Sequence, residues 1–373
     1  MVLQGLEVPS WFGWLTGVFV WVPWGVPKFK SWLNFTTIII ITSNILTQII
    51  WLDFFQHSRQ STKEKFLKKI LLQGFNVFGV LFNAFIRLFF YTQARHIVDF
   101  LNHLEFWPVS TVPTTLQKTR RLFSILCWVS LGLRLATGIF LAIQLSLHVP
   151  QDSWFGDVGQ WGYLFLMGTF GVLPLVASFY VAFSFTVVTA VYLVWIFEDY
   201  GIQIEQAIKT AKKDVPGQQK SLFQYVRMDA QMNDLVQRFD DIRGVFQLFD
   251  TIVSPLLFCL IVMSVTSLIH AANSLLIEGG SSGGWSGVAS DSFNLVYQLV
   301  QLFLLQLGQD TFDRINERKV KLTRMVMLMG DGTSKFQLAN IVESLCVWKW
   351  RMTAWGFFTV DRSLVSGVRI LKV

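Results

Sequence analysis

Apolar residues along the 373-residue chain gather into six long runs separated by polar and charged stretches. The runs are residues 33–52, 70–90, 122–147, 161–197, about 251–277 and 292–309. A helix of about 20 apolar residues crosses the hydrocarbon core of a bilayer, so the pattern predicts six transmembrane helices. Only two charges interrupt them, Arg87 in the second and Arg134 in the third. The fourth run is uncharged from Trp161 to Phe197. At 1.5 Å per residue it measures roughly 55 Å, against a core of about 30 Å, so part of it must project beyond the lipid. Pro174 is expected to kink it.

Between the fourth and fifth runs the period changes. Leu222, Val226, Met232, Leu235, Val236, Phe239 and Ile242 recur at helical spacing among charges of both signs. That is an amphipathic helix seeking a partner outside the membrane. "EDYGIQIEQAIKTAKKD" precedes it, and Pro216-Gly217 marks the turn between the two arms. Residues 8–27 are uncharged, carry Trp11, Trp14, Trp21 and Trp24, and are broken by Pro23 and Pro27. Tryptophan density with proline breaks predicts a segment lying at the lipid–water boundary. The expected organisation is an interfacial N-terminal segment, 1–32. A transmembrane bundle follows, 33–309, with a cytoplasmic arm at 198–245, then a cytoplasmic helical region, 310–373. "GGSSGGWSG" reads as a flexible outside loop and "DTFDRINERKVKLTRMVMLM" as a charged inside loop.

Composition agrees. Charged residues make up 15% of the chain and hydrophobic ones 53%, with 35 Phe and 15 Trp, whereas soluble domains carry about 25% charge. The net charge of +7 does not imply nucleic acid, because the cations lie in the segments between apolar runs. With the N-terminus in the cytoplasm, inside segments hold 24 Lys and Arg and outside loops hold five, all of them between residues 59 and 69. The sequon Asn34-Phe35-Thr36 then falls at the inner membrane edge and carries no glycan.

Signals for catalysis and metals are weak. The five His have no partner at zinc-ligand spacing, although His96 and His103 share a face, and Cys127, Cys259 and Cys346 form no disulfide or zinc pattern. "GDGTSK" lacks the spacing of a phosphate loop and reads as a turn. No enzyme, cofactor or metal is expected. Polar groups inside the spans are more informative, because placing them there is costly. Arg87 lies near the inner end of its run and is expected to snorkel to water. Arg134 is mid-run and must face a water-filled cavity or a carboxylate; Asp250 has the same choice. In the sixth run Asn294, Gln298 and Gln301 fall at i, i+4 and i+7, with Gln309 near the stripe and Tyr297 beside it. These amides face the interior either to bond neighbouring helices or to line a ligand site or pore. His270 and Asn273 near the end of the fifth run can approach them. Tyr163, Phe165 and Phe170, with Trp154 and Trp161, supply aromatic walls or simple packing. Together they suit a small neutral ligand.

The segment "TAWGFFTVDRSLVSGV" resembles the approach to the last transmembrane helix of arthropod gustatory receptors, in the insect chemoreceptor superfamily. Gly356, Phe357, Phe358, Asp361, Arg362, Ser363 and Leu364 carry the motif. The long fourth run, the amphipathic arm and the charged stretch after the sixth run extend the likeness. The resemblance implies a seven-helix, plasma-membrane channel subunit with a cytoplasmic N-terminus. It implies a non-selective cation channel, opened by a small-molecule tastant and assembled as a homo- or hetero-tetramer with other gustatory receptor subunits in membrane lipid. The last helix of such channels lines the pore and carries Thr-Tyr and later Gln-Phe. Eleven residues follow Arg362, including Arg369 and Lys372. They are too few to span about 30 Å, so the pore helix is expected to be missing from this sequence.

Two other classes compete. A metabotropic seven-span receptor would place the N-terminus outside and commonly an outside Cys pair, which is absent. A transporter would show internal repeats and paired broken helices, which are also absent.

Overall fold

The computed structural model describes residues 66–106, 127–140, 159–213, 222–277, 284–329, 333–348, 352–354 and 358–359. It also describes positions 12, 13, 16, 18, 42, 45, 46, 49, 125, 142 and 143. The described chain is all-α. Its helices are α1 (Phe66–Thr92), α2 (Ala94–Phe106), α3 (Cys127–Phe140) and α4 (Gly159–Leu166). A π-helical turn, Met167–Val172, joins α4 to α5 (Leu173–Lys213). Then come α6 (Leu222–Ile277), α7 (Gly284–Met327) and α8 (Thr333–Val347). The one departure is a two-residue antiparallel ladder, Thr353–Ala354 on Phe358–Thr359, with Ala354 opposite Phe358. Thr42, Ile45, Leu46 and Ile49 of the first apolar run are helical and exposed. The Trp residues of 8–27, Pro216, Gly217 and the motif residues Gly356, Phe357, Asp361, Arg362, Ser363 and Leu364 lie outside the described residues, as does the sequence beyond Thr359.

Helices α5 and α6 contain stretches long and apolar enough to cross a membrane, by length and composition. Two helices exceed their sequence expectation. Helix α6 absorbs both the amphipathic arm and the fifth run in 56 residues, with Pro255 inside it. Helix α7 runs 44 residues, so the expected charged loop after Gln309 is helical as far as Met327. Hydropathy ends near Gln309, but Ile315, Lys319, Leu322 and Val326 continue an inward stripe at helical spacing and are buried. The glycine-rich stretch is helical from Gly284 onward. Ahead of Pro174 the α-helical ladder gives way to the π turn, where the Leu173 N–H reaches the Gly168 carbonyl. Proline, which lacks an N–H, then falls in the first turn of α5, where that loss is tolerated.

The chain divides into two compact units. The first comprises Met1–Val98, Lys118–Val188 and Pro255–Leu304. Its exposed positions are strongly apolar: Leu81, Leu88, Ile125, Trp128, Val129, Ile139, Trp161, Phe165, Ile269 and Leu299. Its interior holds Asn83, Arg87, Arg134, Gln298 and Gln301. Apolar outside and polar inside is the distribution of a bundle built for lipid. Helix α5 is the buried centre, from Val176 through Val188. Gly138 lets α3 approach it closely: a Cβ there would stand 3.0 Å from Val176 and 3.2 Å from Val172. Phe90 meets Phe185 edge-on at 5.8 Å, and Phe140 stacks on Phe293 at 5.5 Å. Tyr180 Oη donates to the Cys127 carbonyl at 3.2 Å.

The second unit comprises Asp99–Gln117, Thr189–Ser254 and Leu305–Val373. Here the stripes are amphipathic. Met232, Leu235, Phe239 and Ile242 are buried as the spacing predicts, but Val236 is exposed. Leu338, Ile341, Val342 and Leu345 give α8 its inner face. Trp348 gathers the unit: Phe246 lies 5.0 Å away edge-on, Phe239 6.0 Å and Phe197 6.4 Å. Each Phe buried from water contributes about 1.5–3 kcal/mol.

Candidate functional site

On α3 of the first unit, Cys127, Ser130, Leu131 and Arg134 fall at i, i+3, i+4 and i+7 and are buried, while Trp128, Val129 and Ile139 face outward. The same stripe therefore carries the apolar contacts and the one charge of α3. Arg134 retains 8% of its surface. Its guanidinium carbon lies 4.8 Å from the ring centre of Tyr297 on α7 and 5.9 Å from that of Phe179 on α5. The sequence offered a water-filled cavity or a carboxylate as its partner. The structure gives it two aromatic faces, and among the described residues no carboxylate lies within ion-pair distance.

Magnitudes show why this matters. Arg at the middle of a membrane helix costs about 2.5–3.5 kcal/mol on insertion scales. One desolvated cation–π contact returns about 2 kcal/mol. The rings offset charge, but they satisfy few of five N–H donors. Arg134 Nε is buried without a hydrogen-bond partner among the described residues. Ser130 Oγ and Tyr297 Oη lie near each other without closing a hydrogen bond. Ser184 Oγ is likewise unpartnered. Helices α3 and α7 thus bring the donors of Arg134, Ser130 and Tyr297 together, with Phe179 of α5 against the guanidinium.

Next to Tyr297, the Gln298 amide donates from Nε2 to Asn294 Oδ1 at 3.1 Å, leaving Gln298 Oε1 buried and unpartnered. Gln301 is buried and Asn294 half-buried. Part of the amide stripe is therefore spent within α7 itself. His270 on α6 and Phe170 in the π turn are half-buried. Trp161 and Phe165 are 83% and 66% exposed and form no interior wall. The side chains of Tyr163, Asn273 and Gln309, and all of Trp154, lie outside the described residues.

Arg87 departs from expectation. Rather than snorkelling, it is fully buried on α1, donating from Nε to Ser178 Oγ at 3.0 Å and from a terminal nitrogen to the Thr16 carbonyl at 3.1 Å. In the second unit, Asp250 Oδ1 accepts from Thr353 Oγ1 at 3.2 Å, and Ser254 Oγ lies 3.4 Å from the same hydroxyl. The first residue of the C-terminal motif segment is thereby held on α6. Glu205 on α5 meets three cations: Lys209 and Lys321 at 3.1 Å and Arg318 at 3.3 Å. Burial alone would raise its carboxyl. Hydrogen bonds from Lys321 and Lys209, with the charges of Lys321 and Arg318, outweigh burial and hold it below its usual range. Gly201, one turn earlier, leaves room for the Arg318 side chain, whose Nε lies 3.1 Å from where a Cβ would sit. Among the described residues no cluster of His, Cys, Asp or Glu could hold a metal.

No protein-family model and no curated protein matches the chain. Among solved structures it is similar to the insect olfactory receptor OR5 from Machilis hrabei in complex with eugenol. The TM-score is 0.74 at 14% identity, over 98% of this chain and 94% of that one. A second structure of the same receptor gives 0.73 at 14% identity, over 98% and 97%. The chain has the all-α fold of these insect olfactory receptors.

Proposed function

We propose that the chain is a chemoreceptor subunit of the gustatory kind, forming a tastant-gated cation channel in the plasma membrane. The observation that carries this reading is the donor group of Arg134, Ser130 and Tyr297, walled by Phe179, inside a bundle whose exposed face is apolar. The fold shared with an olfactory receptor supports a receptor role. The C-terminal motif supports the gustatory branch. In this reading Gln298, Asn294, Gln301, His270 and Phe170 border the ligand site together with Tyr297. Ligand opens the channel by binding the open state more tightly than the closed one.

The reading also places the N-terminus, the arm 198–245 and residues 310–373 in the cytoplasm. Exposed apolar side chains at Met327, Leu328, Phe336 and Val347 support subunit contacts through that region, as the gustatory resemblance implies for a tetramer.

The test is ligand-evoked current in cells free of other chemoreceptors, expressing a form that includes a whole last helix, alone and with partner gustatory subunits. A panel of sugars, bitter compounds, acids and phenols should include at least one agonist. Silence in every combination, with the protein at the cell surface, would refute the channel reading.

A further inference from the structure

We infer that the Arg134 group receives the carboxylate of a small organic acid; this rests on the chemoreceptor reading and names the ligand class of that site. The argument begins with a mismatch of donors and acceptors. Arg134 can only donate; its Nε is buried without a hydrogen-bond partner, and among the described residues no carboxylate forms an ion pair with it. Ser130 and Tyr297 add two hydroxyls that close no bond of their own.

A carboxylate is the complement of such a set. Ionised, it only accepts, with two oxygens that match the fork of a guanidinium. It also supplies the opposite charge that a buried cation requires in a low-dielectric interior. The rings of Tyr297 and Phe179 flank the cation and offer apolar surface to the hydrocarbon part of an acid. A neutral ligand would satisfy some donors but leave the charge unmatched. The sequence pattern alone favoured a neutral ligand because it weighed the amides of α7. Gln298 and Asn294 are bonded to each other, which leaves the cation as the dominant unmatched group.

The experiment uses the full chain in lipid nanodiscs, with hexanoate, hexanamide and 1-hexanol as probes and intrinsic tryptophan fluorescence and calorimetry as readouts. Hexanoate should bind about tenfold or more tightly than either neutral probe, the size of a charge-assisted hydrogen-bond pair. Its affinity should fall as pH drops below the acid's own pKa, while that of 1-hexanol stays flat. Arg134→Met should lose the preference for hexanoate and keep the affinity for 1-hexanol. Should that variant fail to fold, the pH series on the unmodified protein decides alone.

Equal binding of hexanoate and 1-hexanol would overturn the inference and leave the receptor reading standing. So would full competition by chloride, which would mark an inorganic anion as the partner. If all three probes fail to bind while a sugar or phenol evokes current, the acid class is again refuted and the receptor retained. Failure of every compound in both assays would refute the receptor reading itself.

Discussion

Arg87 Nε donates to Ser178 Oγ across 3.0 Å, and that hydroxyl donates onward to the Pro174 carbonyl at 2.8 Å. A buried cation on α1 is thus tied to the first turns of α5. Ser178→Ala should remove the link and leave one Arg87 donor unmet, lowering stability by about 1–3 kcal/mol. Thermal unfolding in detergent should show the loss, and Ser178→Thr should restore part of it. An unchanged midpoint for Ser178→Ala would mean that water replaces the hydroxyl.

Trp348 is the centre of the second unit. Lys319 lies over its indole at 5.5 Å and donates to its carbonyl. Trp348→Ala should cost about 3 kcal/mol through lost packing against Phe246, Phe239 and Phe197. Trp348→Phe should cost about a third of that, keeping the aromatic contacts and losing only area. Amide exchange in α8 should quicken in the first variant. If exchange there is unaffected, the cluster contributes little to holding α8.

Glu205 gives the second unit a pH dependence of known sign. Its carboxyl is held below the ordinary range, so the stability it adds is fully present above about pH 4.3, the unfolded value. That contribution disappears as pH falls through the lower folded value. Glu205→Gln should therefore lower the thermal midpoint at neutral pH and match the unmodified protein in strong acid. High salt should shrink the difference, because the partly exposed pairs are screened. A gap that persists in acid would point to packing rather than charge.

Gln298 tests the amide stripe. Gln298→Leu removes the bond to Asn294 and a buried unpartnered oxygen together. Ligand response should weaken by about two- to twelvefold, the range of one modest hydrogen bond. Wild-type sensitivity in a variant that reaches the cell surface would assign Gln298 to helix structure alone.

Asn34 tests orientation. The proposed topology keeps the sequon at the cytoplasmic edge, so treatment with glycosidase should not change the protein's mobility in a gel. A glycan on Asn34 would invert the arrangement of all six runs.

The helices were legible where apolar periodicity and length agree, as in α1, α5 and the part of α6 from Thr251 onward. Boundaries failed where hydropathy and helix formation separate. Residues past Gln309 are too polar for lipid, yet Ile315, Leu322 and Val326 keep α7 helical by packing in the second unit. Charged side chains were legible as exceptions but not in their solutions. Arg87 and Arg134 stand out in any hydropathy reading, while Ser178 and Tyr297, which receive them, sit in distant runs. No local pattern links those positions. Spacing on α3 did hold one usable clue: Arg134 shares its face with Cys127 and Ser130, the inward side.

The π turn at Met167–Val172 sets a phase. It adds about one residue to an otherwise α-helical path, and one residue corresponds to about 100° of rotation. Trp161 and Phe165 lie upstream of it and face outward. Deleting one residue from the turn would return the path to α-helix and swing both rings round the axis, away from their present side. The outward aromatic face of α4 is therefore encoded as an insertion ahead of Pro174, and a comparison of lengths at this point would read its direction before any side chain was compared.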